Sequence, residues 1–431
     1  MSFQFSQDQL DAVDNICDKL IDSNPKSHAI AVLTGSAGTG KTTVVREIIN
    51  KINTDSPLTT IKLCATTHRA ATVLGNIAKA PVTTGHALFK LRPSVTKYGK
   101  EALTNAGICE VPYESVVIID ESSMIGNQFL KAIVDIVKER ALKLLFVGDP
   151  FQLPPPTDIC SIFDGSLYTF KLTTVHRQAG GNPVLEKANE FREYMEGIRD
   201  IEPTLETNIN SKGEGIHVLP HSDFVAKFVQ KYIDYSAGAE VDIPLCTYTN
   251  ESAINYNSMV RKAAYFLENT IEPFYKGERL IANSILMSGG KTVLTNNETV
   301  HVTDYTETTE YGIPGYYVTL RGTYNEYTKS NIKRVFSPKT KAAAENVLKE
   351  YKNKAIISKS AETWQAYYKI KNSLADLRPP FAGTTHKAQG GTFPAVFIDK
   401  LNINKCKNRT TRARLFYVAL TRASENVYIN S

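Results

Sequence analysis

The chain has no pair of cysteines in a C-x-x-C arrangement. Its six cysteines (Cys17, Cys64, Cys109, Cys160, Cys246 and Cys406) are scattered over 431 residues, most of them inside apolar stretches. Such spacing argues against a zinc site and reads as buried free thiols in a reducing cytoplasm. No apolar run approaches the ~18 residues that a membrane-spanning helix needs. The first residues lack the charged and apolar pattern of a signal peptide, so a cytoplasmic location is expected. Strong charge of one sign is missing too: 50 basic against 44 acidic residues leave a formal +6. That mild excess permits a nucleic-acid partner without establishing one. A single core is excluded by length, because cores stop growing near ~250–300 residues, and two or more domains are expected.

What is present is Gly35-Ser36-Ala37-Gly38-Thr39-Gly40-Lys41-Thr42, a match to G-x-x-x-x-G-K-[ST]. The residues His28 to Thr34 before it are apolar and β-branched and read as a buried strand; Thr43 to Ile49 after it carry apolar residues at helical spacing. A strand, a glycine turn and a helix N-terminus make an anion site, since backbone N–H groups and the helix dipole both favour negative charge there. The nucleotide-holding set is therefore Gly35, Ala37, Gly38, Thr39, Gly40, Lys41, Thr42 and Thr43. Lys41 is placed to reach the β/γ-phosphates of ATP and the Thr42 hydroxyl to ligate Mg²⁺.

Other strands follow in an α/β rhythm: Thr60–Thr67, Ser115–Ile119 and Leu142–Val147, each ending in a polar cluster, where ligands bind in parallel sheets. Asp120-Glu121 closes the second of these, about 80 residues after the phosphate loop and on a strand expected to neighbour it. Asp120 suits Mg²⁺ and Glu121 suits polarisation of an attacking water. Ser6 with Gln9 forms a capping box for an opening helix. A second α/β unit is expected from about His176, with strands at Ile243–Thr249, Ala395–Asp399 and Asn426–Ile429. Two arginines, Arg177 and Arg422, lie where charge on a transferring phosphoryl group would need cations. Residues 88–113 interrupt the rhythm with Pro93, Gly99 and Gly107, and residues 271–380 turn Tyr-, Val- and Thr-rich before two helices. From Lys329 to Lys359 nine basic residues face two acidic ones. A solvated face is the commoner meaning of such a run, and a phosphate-contacting arm the alternative.

The ordered set resembles the superfamily 1B helicases of the RecD/Dda branch: Gln9, Gly35–Thr42, Ala65–His68, Thr83–His86, Asp120–Met124, Gly148–Pro154, Leu172–Gln178, Thr384–Gly390 and Leu415–Ala423 stand in family order. The resemblance implies an α/β fold of two RecA-like P-loop NTPase domains with parallel sheets, 1A (1–87 and 114–175) and 2A (176–270 and 381–431). It also implies a small pin insertion 1B (88–113) and an insertion 2B (271–380) holding a small β-barrel and a helical arm. By the same resemblance Gln9 reads adenine, Gln152 senses the γ-phosphate, and Gly390, Arg177 and Arg422 join the ATP site. Single-stranded DNA is expected on Thr66, His68, Thr84, His86, Pro154, Thr385, His386 and Lys387, whose donors suit phosphates. Phe89, Tyr98 and Leu103 are the pin candidates. The implied activity is ATP-driven 5′→3′ translocation and duplex separation by a monomer at single-strand/duplex junctions. A phage replication or recombination setting and a single-stranded-DNA-binding protein as partner are implied with it. Two alternatives stay open: a translocase that does not unwind, and a nucleotide-switched binding protein.

Overall fold

A strand covered on both faces must be apolar at nearly every position, and Ala29–Gly35 meets that condition: in the computed structural model only Ile30 among its residues is not fully buried. The structure describes residues 5–21, 28–66, 70–71, 74–75, 81–95, 101–105, 107–155, 158–174, 181–236, 244–264, 273–288, 291–296, 298–322 and 332–431. Ala29–Gly35 belongs to a six-stranded parallel sheet ordered Val82–Thr84, Ile61–Ala65, Val116–Asp120, Lys143–Gly148, Ala29–Gly35, Tyr168–Leu172. Helices Gln7–Ile21 and Lys41–Asp55 cover one face through Val13, Ile16, Val44 and Ile48. Helix Asn127–Glu139 covers the other through Phe129, Ile133 and Val137.

One neighbour relation differs from expectation. Val116–Asp120 does not adjoin Ala29–Gly35, because Lys143–Gly148 lies between them and pairs in register with both. All six residues of that strand are buried, and the most thoroughly buried strand takes a central place. The carboxyl ends of the strands consequently line up, with Asp149 between the phosphate loop and Asp120.

A second six-stranded sheet is ordered Ala382–Thr384, Leu245–Thr247, Phe393–Ile398, Ala423–Asn430, Gly215–Leu219, Asn208–Ile209. Its first five strands are parallel, and Asn208–Ile209 is an antiparallel edge. Helix Pro183–Glu196, capped by Asn182, packs with helix Arg409–Thr421 on one face, and helices His221–Ser236 and Asn250–Ala264 lie on the other. Two strand–turn–helix sheets of this kind are the RecA-like architecture.

Among the described residues three antiparallel pieces interrupt these two units along the chain, one of them the pair Leu286–Ser288 and Lys291–Leu294. Leu91–Val95 pairs with Glu101–Asn105. A five-stranded sheet runs Ile332–Pro338, Ile313–Gly322, Thr299–Glu310, Arg279–Ala282, Leu377–Arg378, its inward residues Leu280, Val300, Val318, Leu320 and Val335 forming one core. Helices Lys341–Ser358 and Ala361–Ser373, capped by Thr340 and Ser360, rest on it through Ala344, Ile370 and Phe336. Among the described residues no helix is long and apolar enough to cross a membrane.

Candidate active site

The phosphate loop is shaped by left-handed glycines. Gly38 and Gly40 have φ of 88° and 78°, and a Cβ at Gly40 would meet Gln9 Nε2 at 2.6 Å. The Thr39 hydroxyl donates to the Ser36 carbonyl at 3.0 Å, closing the turn. Lys41 Nζ donates to the carbonyls of Gly35 (2.7 Å) and Ser36 (3.0 Å), so the ammonium is folded back onto the loop. Thr42 and Thr43 occupy the first turn of the following helix, half-buried.

Gln9 sits behind this loop. It is fully buried, accepts from the Ser6 N–H at 3.1 Å and donates to the Thr39 carbonyl at 3.0 Å. The expected cap is therefore present. The Gln9 carboxamide also keeps a second N–H and a second lone pair, the groups that the expected reading of adenine would use. Asp8, one residue earlier, ties the same helix start to the end of the first sheet: its carboxylate accepts from the N–H groups of Thr173 and Thr174, each at 2.9 Å.

Asp120 ends its strand, and its carboxylate accepts from the Glu121 N–H at 2.8 Å. Glu121 has a left-handed φ of 52°, a conformation costing a non-glycine residue roughly 1–2 kcal/mol. The carbonyl of that strained residue accepts from the Thr66 hydroxyl at 3.3 Å. Removal from water, and then the neighbouring Glu121, push the Asp120 carboxyl up, while the Glu121 N–H and Lys41 pull it down. Adjoining carboxylates in a dry corner favour a cation. Thr42 and Asp120 offer the hard oxygen donors that Mg²⁺ takes, and among the described residues no cluster of three or more His, Cys, Asp or Glu forms a full protein cage. That donor set fits an ion shared with phosphate oxygens and water.

Helix Arg409–Thr421 of the second sheet's unit completes the corner. The Tyr417 hydroxyl donates to Asp149 Oδ2 at 2.5 Å and accepts from the Ala37 N–H at 3.2 Å. Arg414 donates to the Gln152 carbonyl at 2.7 Å. Gln389 donates to Gln152 Oε1 at 3.3 Å and to the Leu153 carbonyl at 3.2 Å, while its own Oε1 has no partner among the described residues. Arg422, just after the helix, is buried and donates to the Val418 and Gly391 carbonyls and the Thr421 hydroxyl. Among the described residues no carboxylate pairs with it, which leaves a buried cation suited to an anionic ligand. Gly390 makes the left-handed turn (φ 77°) leading to the Gly391 carbonyl. Arg177 lies outside the described residues.

Burial separates two of the expected DNA contacts, Thr84 and Thr385, from the rest. Thr84 and Thr384 each end an edge strand and begin a four-residue helix, Gly85–Leu88 and Thr385–Ala388, so one device occurs in both sheets. Thr84 is a helix cap accepting from the Ala87 N–H, and His86 is exposed with its ring edge-on to Phe129 at 5.1 Å. Thr385 is fully buried and donates to the Thr247 carbonyl at 3.1 Å. The hydroxyls of Thr84 and Thr385 are thus committed to the protein's own backbone, contrary to their expected role. His386 and Lys387 are half-buried; burial and then Arg378 bring the Lys387 ammonium down to about 8, and it donates to the Asn283 carbonyl. Pro154 is half-buried. Phe89 is completely buried, packed edge-on to Phe129 in the first sheet's core, so it cannot meet a fork. Leu103 packs partly against that same core. His68 and Tyr98 lie outside the described residues.

Sequence reasoning missed Asp8, Asp149, Gln389, Arg414 and Tyr417 as site residues. One signal was available: Arg414 and Tyr417 lie at i and i+3 on the helix that the motif preceding Arg422 forms, and so share a face.

Two family models match the chain: an AAA domain over residues 4–212 and a UvrD-like helicase C-terminal domain over residues 380–430. The chain is 24% identical over 442 residues to the ATP-dependent DNA helicase dda of Enterobacteria phage T4, with 94% of each chain covered. It is 23% identical over 481 residues to uncharacterized protein R530 of Acanthamoeba polyphaga mimivirus, covering 94% of this chain and 96% of that one. A 164-residue stretch, 38% of this chain, is 32% identical to 21% of the ATP-dependent RecD2 DNA helicase of Deinococcus radiodurans.

Proposed function

We propose that this chain is a superfamily 1B DNA helicase of the Dda/RecD type, which travels 5′→3′ on single-stranded DNA and separates the duplex ahead of it. The observation that carries the reading is a convergence at one crevice. Tyr417 of the second unit bonds to Ala37 of the phosphate loop and to Asp149, and Gln389 bonds to Gln152, with the buried Arg422 following Tyr417 in the same segment. ATP is held by the loop amides and Lys41, and Glu121 orients the attacking water. Thr42 and Asp120 would hold Mg²⁺, which would supply charge neutralisation at the phosphates. Arg177 and Arg422 stabilise the transferring phosphoryl group from the second unit, and Gln152 reports its loss to Gln389 and thence to Lys387. Closure and reopening of the two sheets then shift the strand.

The proposed division follows the sheets: 1–87 with 114–175, and 176–270 with 381–431. Residues 88–113 form the pin, and 271–380 form the second insertion. The proposed DNA-facing residues are Thr66, His68, His86, Pro154, His386 and Lys387. The proposed partners are single strands, forked junctions and a single-stranded-DNA-binding protein, with the chain acting as a monomer in phage replication or recombination.

Unwinding of duplexes with a 5′ or a 3′ single-stranded tail, wild type beside Lys41→Ala, tests this. Activity on the 5′-tailed duplex alone, absent from the variant, is expected. A second reading, a translocase that clears proteins from DNA without unwinding, draws support from the burial of Phe89. Hydrolysis stimulated by single strands with neither duplex opened would establish it instead.

A further inference from the structure

Among the described residues, one side chain of the second sheet's unit hydrogen-bonds to the phosphate loop, and it is an uncharged hydroxyl. Tyr417 is 1% exposed. It faces Ala37 and Ser36 across a crevice also lined by Leu185, Ala188 and Thr421. Its hydroxyl accepts from the Ala37 N–H and donates to the Asp149 carboxylate, so one oxygen links the loop, the motif after Gly148 and the second unit. Asp149 is completely buried. Its other oxygen accepts from the Phe151 N–H at 3.0 Å, and its carbonyl accepts from the Gln152 N–H at 3.1 Å. The carboxylate therefore shapes the turn that presents Gln152. Lys41 and Glu121 on the first sheet, and Arg414 beside Tyr417, are the other charged groups acting on it.

A purely structural tie would need only the bond to Asp149. The additional bond to Ala37 belongs to a loop that must hold phosphates, and it exists only while the two units are together. We propose that the Tyr417 hydroxyl is a positioning group for hydrolysis, holding the Asp149–Gln152 turn against the phosphate loop whenever the two units close. The inference rests on the ATPase reading above. The aromatic ring packs in the second unit's core with Phe416, Leu420 and Ala188, so Tyr417→Phe removes the hydroxyl and leaves the packing.

The test is steady-state ATP hydrolysis with saturating single-stranded DNA for wild type, Tyr417→Phe, Asp149→Asn and the double variant, with thermal melting alongside. Wild-type turnover that vanishes in Lys41→Ala secures the ATPase reading independently. The expected result for Tyr417→Phe is a kcat at least tenfold lower with KM for ATP changed less than threefold. Asp149→Asn is expected to fall similarly, and the double variant no further than the worse single, as groups acting in one chain do. Wild-type kcat in Tyr417→Phe overturns the proposal, as does a loss expressed wholly in KM. Multiplicative losses in the double variant overturn it as well. Should Tyr417→Phe melt below the assay temperature, Asp149→Asn alone decides: an unchanged kcat there removes the relay.

Discussion

Among the described residues Lys41 donates to two carbonyls of its own loop and to no other element. Lys41→Ala is therefore expected to leave thermal stability within about 0.5 kcal/mol of wild type, as for a substitution outside the core. Hydrolysis is expected to fall about 10²-fold or more, the usual loss for one donor to developing charge. A melt and an ATPase assay on the same preparation check both halves. Asp8 gives a prediction of the opposite kind. Burial raises its carboxyl, but the Ser6 hydroxyl and the donors of Thr174 and Thr173 outweigh burial and hold it well below the usual carboxylate range. A depressed folded-state value means stability that is present above the unfolded value of about 3.9 and lost as the pH falls below it. Asp8→Asn should cost about 1 kcal/mol at pH 7, the scale of a hydrogen bond. The gap to wild type should narrow as the pH is lowered from about 4 toward 2. Denaturant titrations across that range would show it, and a gap that stays constant would assign the effect to packing.

At the scale of elements, the short helix Thr385–Ala388 sets two neighbouring side chains to different work. Thr385→Val leaves the buried Thr247 carbonyl without its donor and should cost about 1–3 kcal/mol of stability, with the salt dependence of DNA binding unchanged. Lys387→Ala should leave the melt alone and reduce the slope of log K against log salt by about 0.7–1, the loss of one phosphate contact. Wild-type affinity should also weaken above pH 8, where the lowered ammonium loses its proton; a filter-binding series in salt and in pH separates these outcomes. The motif was legible in sequence; the division of labour was not. Apolar runs and helical spacing announce Ala29–Gly35, Lys143–Gly148 and Arg409–Thr421, because burial on a sheet or a helix face imposes those periods. They do not announce that Phe89 turns into the core or that Lys143–Gly148 separates the phosphate loop from Asp120, since both depend on how distant segments stack. Tyr417 meets Asp149 across 268 residues of chain, and no local pattern encodes such a partner.

At the scale of the molecule, the boundary between the two sheets is a shared core as well as a cleft. Leu153 follows a strand of the first sheet, yet it is completely buried among Val184, Ile398 and Leu415 of the second unit, with Phe151 packed beside it. Arg414 and Gln389 clasp the same few residues from the second unit. Motion of one sheet must therefore drag this segment, and through it Gln152, relative to the other. Leu153→Ala opens a cavity at that joint, with a cost of about 2–5 kcal/mol, while Lys41, Asp120, Glu121 and Arg422 keep their places. The expected phenotype is uncoupling: ATP hydrolysed at a rate near wild type, with several-fold more ATP consumed per base pair opened. Hydrolysis and unwinding measured together on a 5′-tailed duplex give that ratio. If both rates fell in the same proportion, Leu153 would be a core residue like its neighbours, and the transmission of closure would have to run through the polar contacts alone.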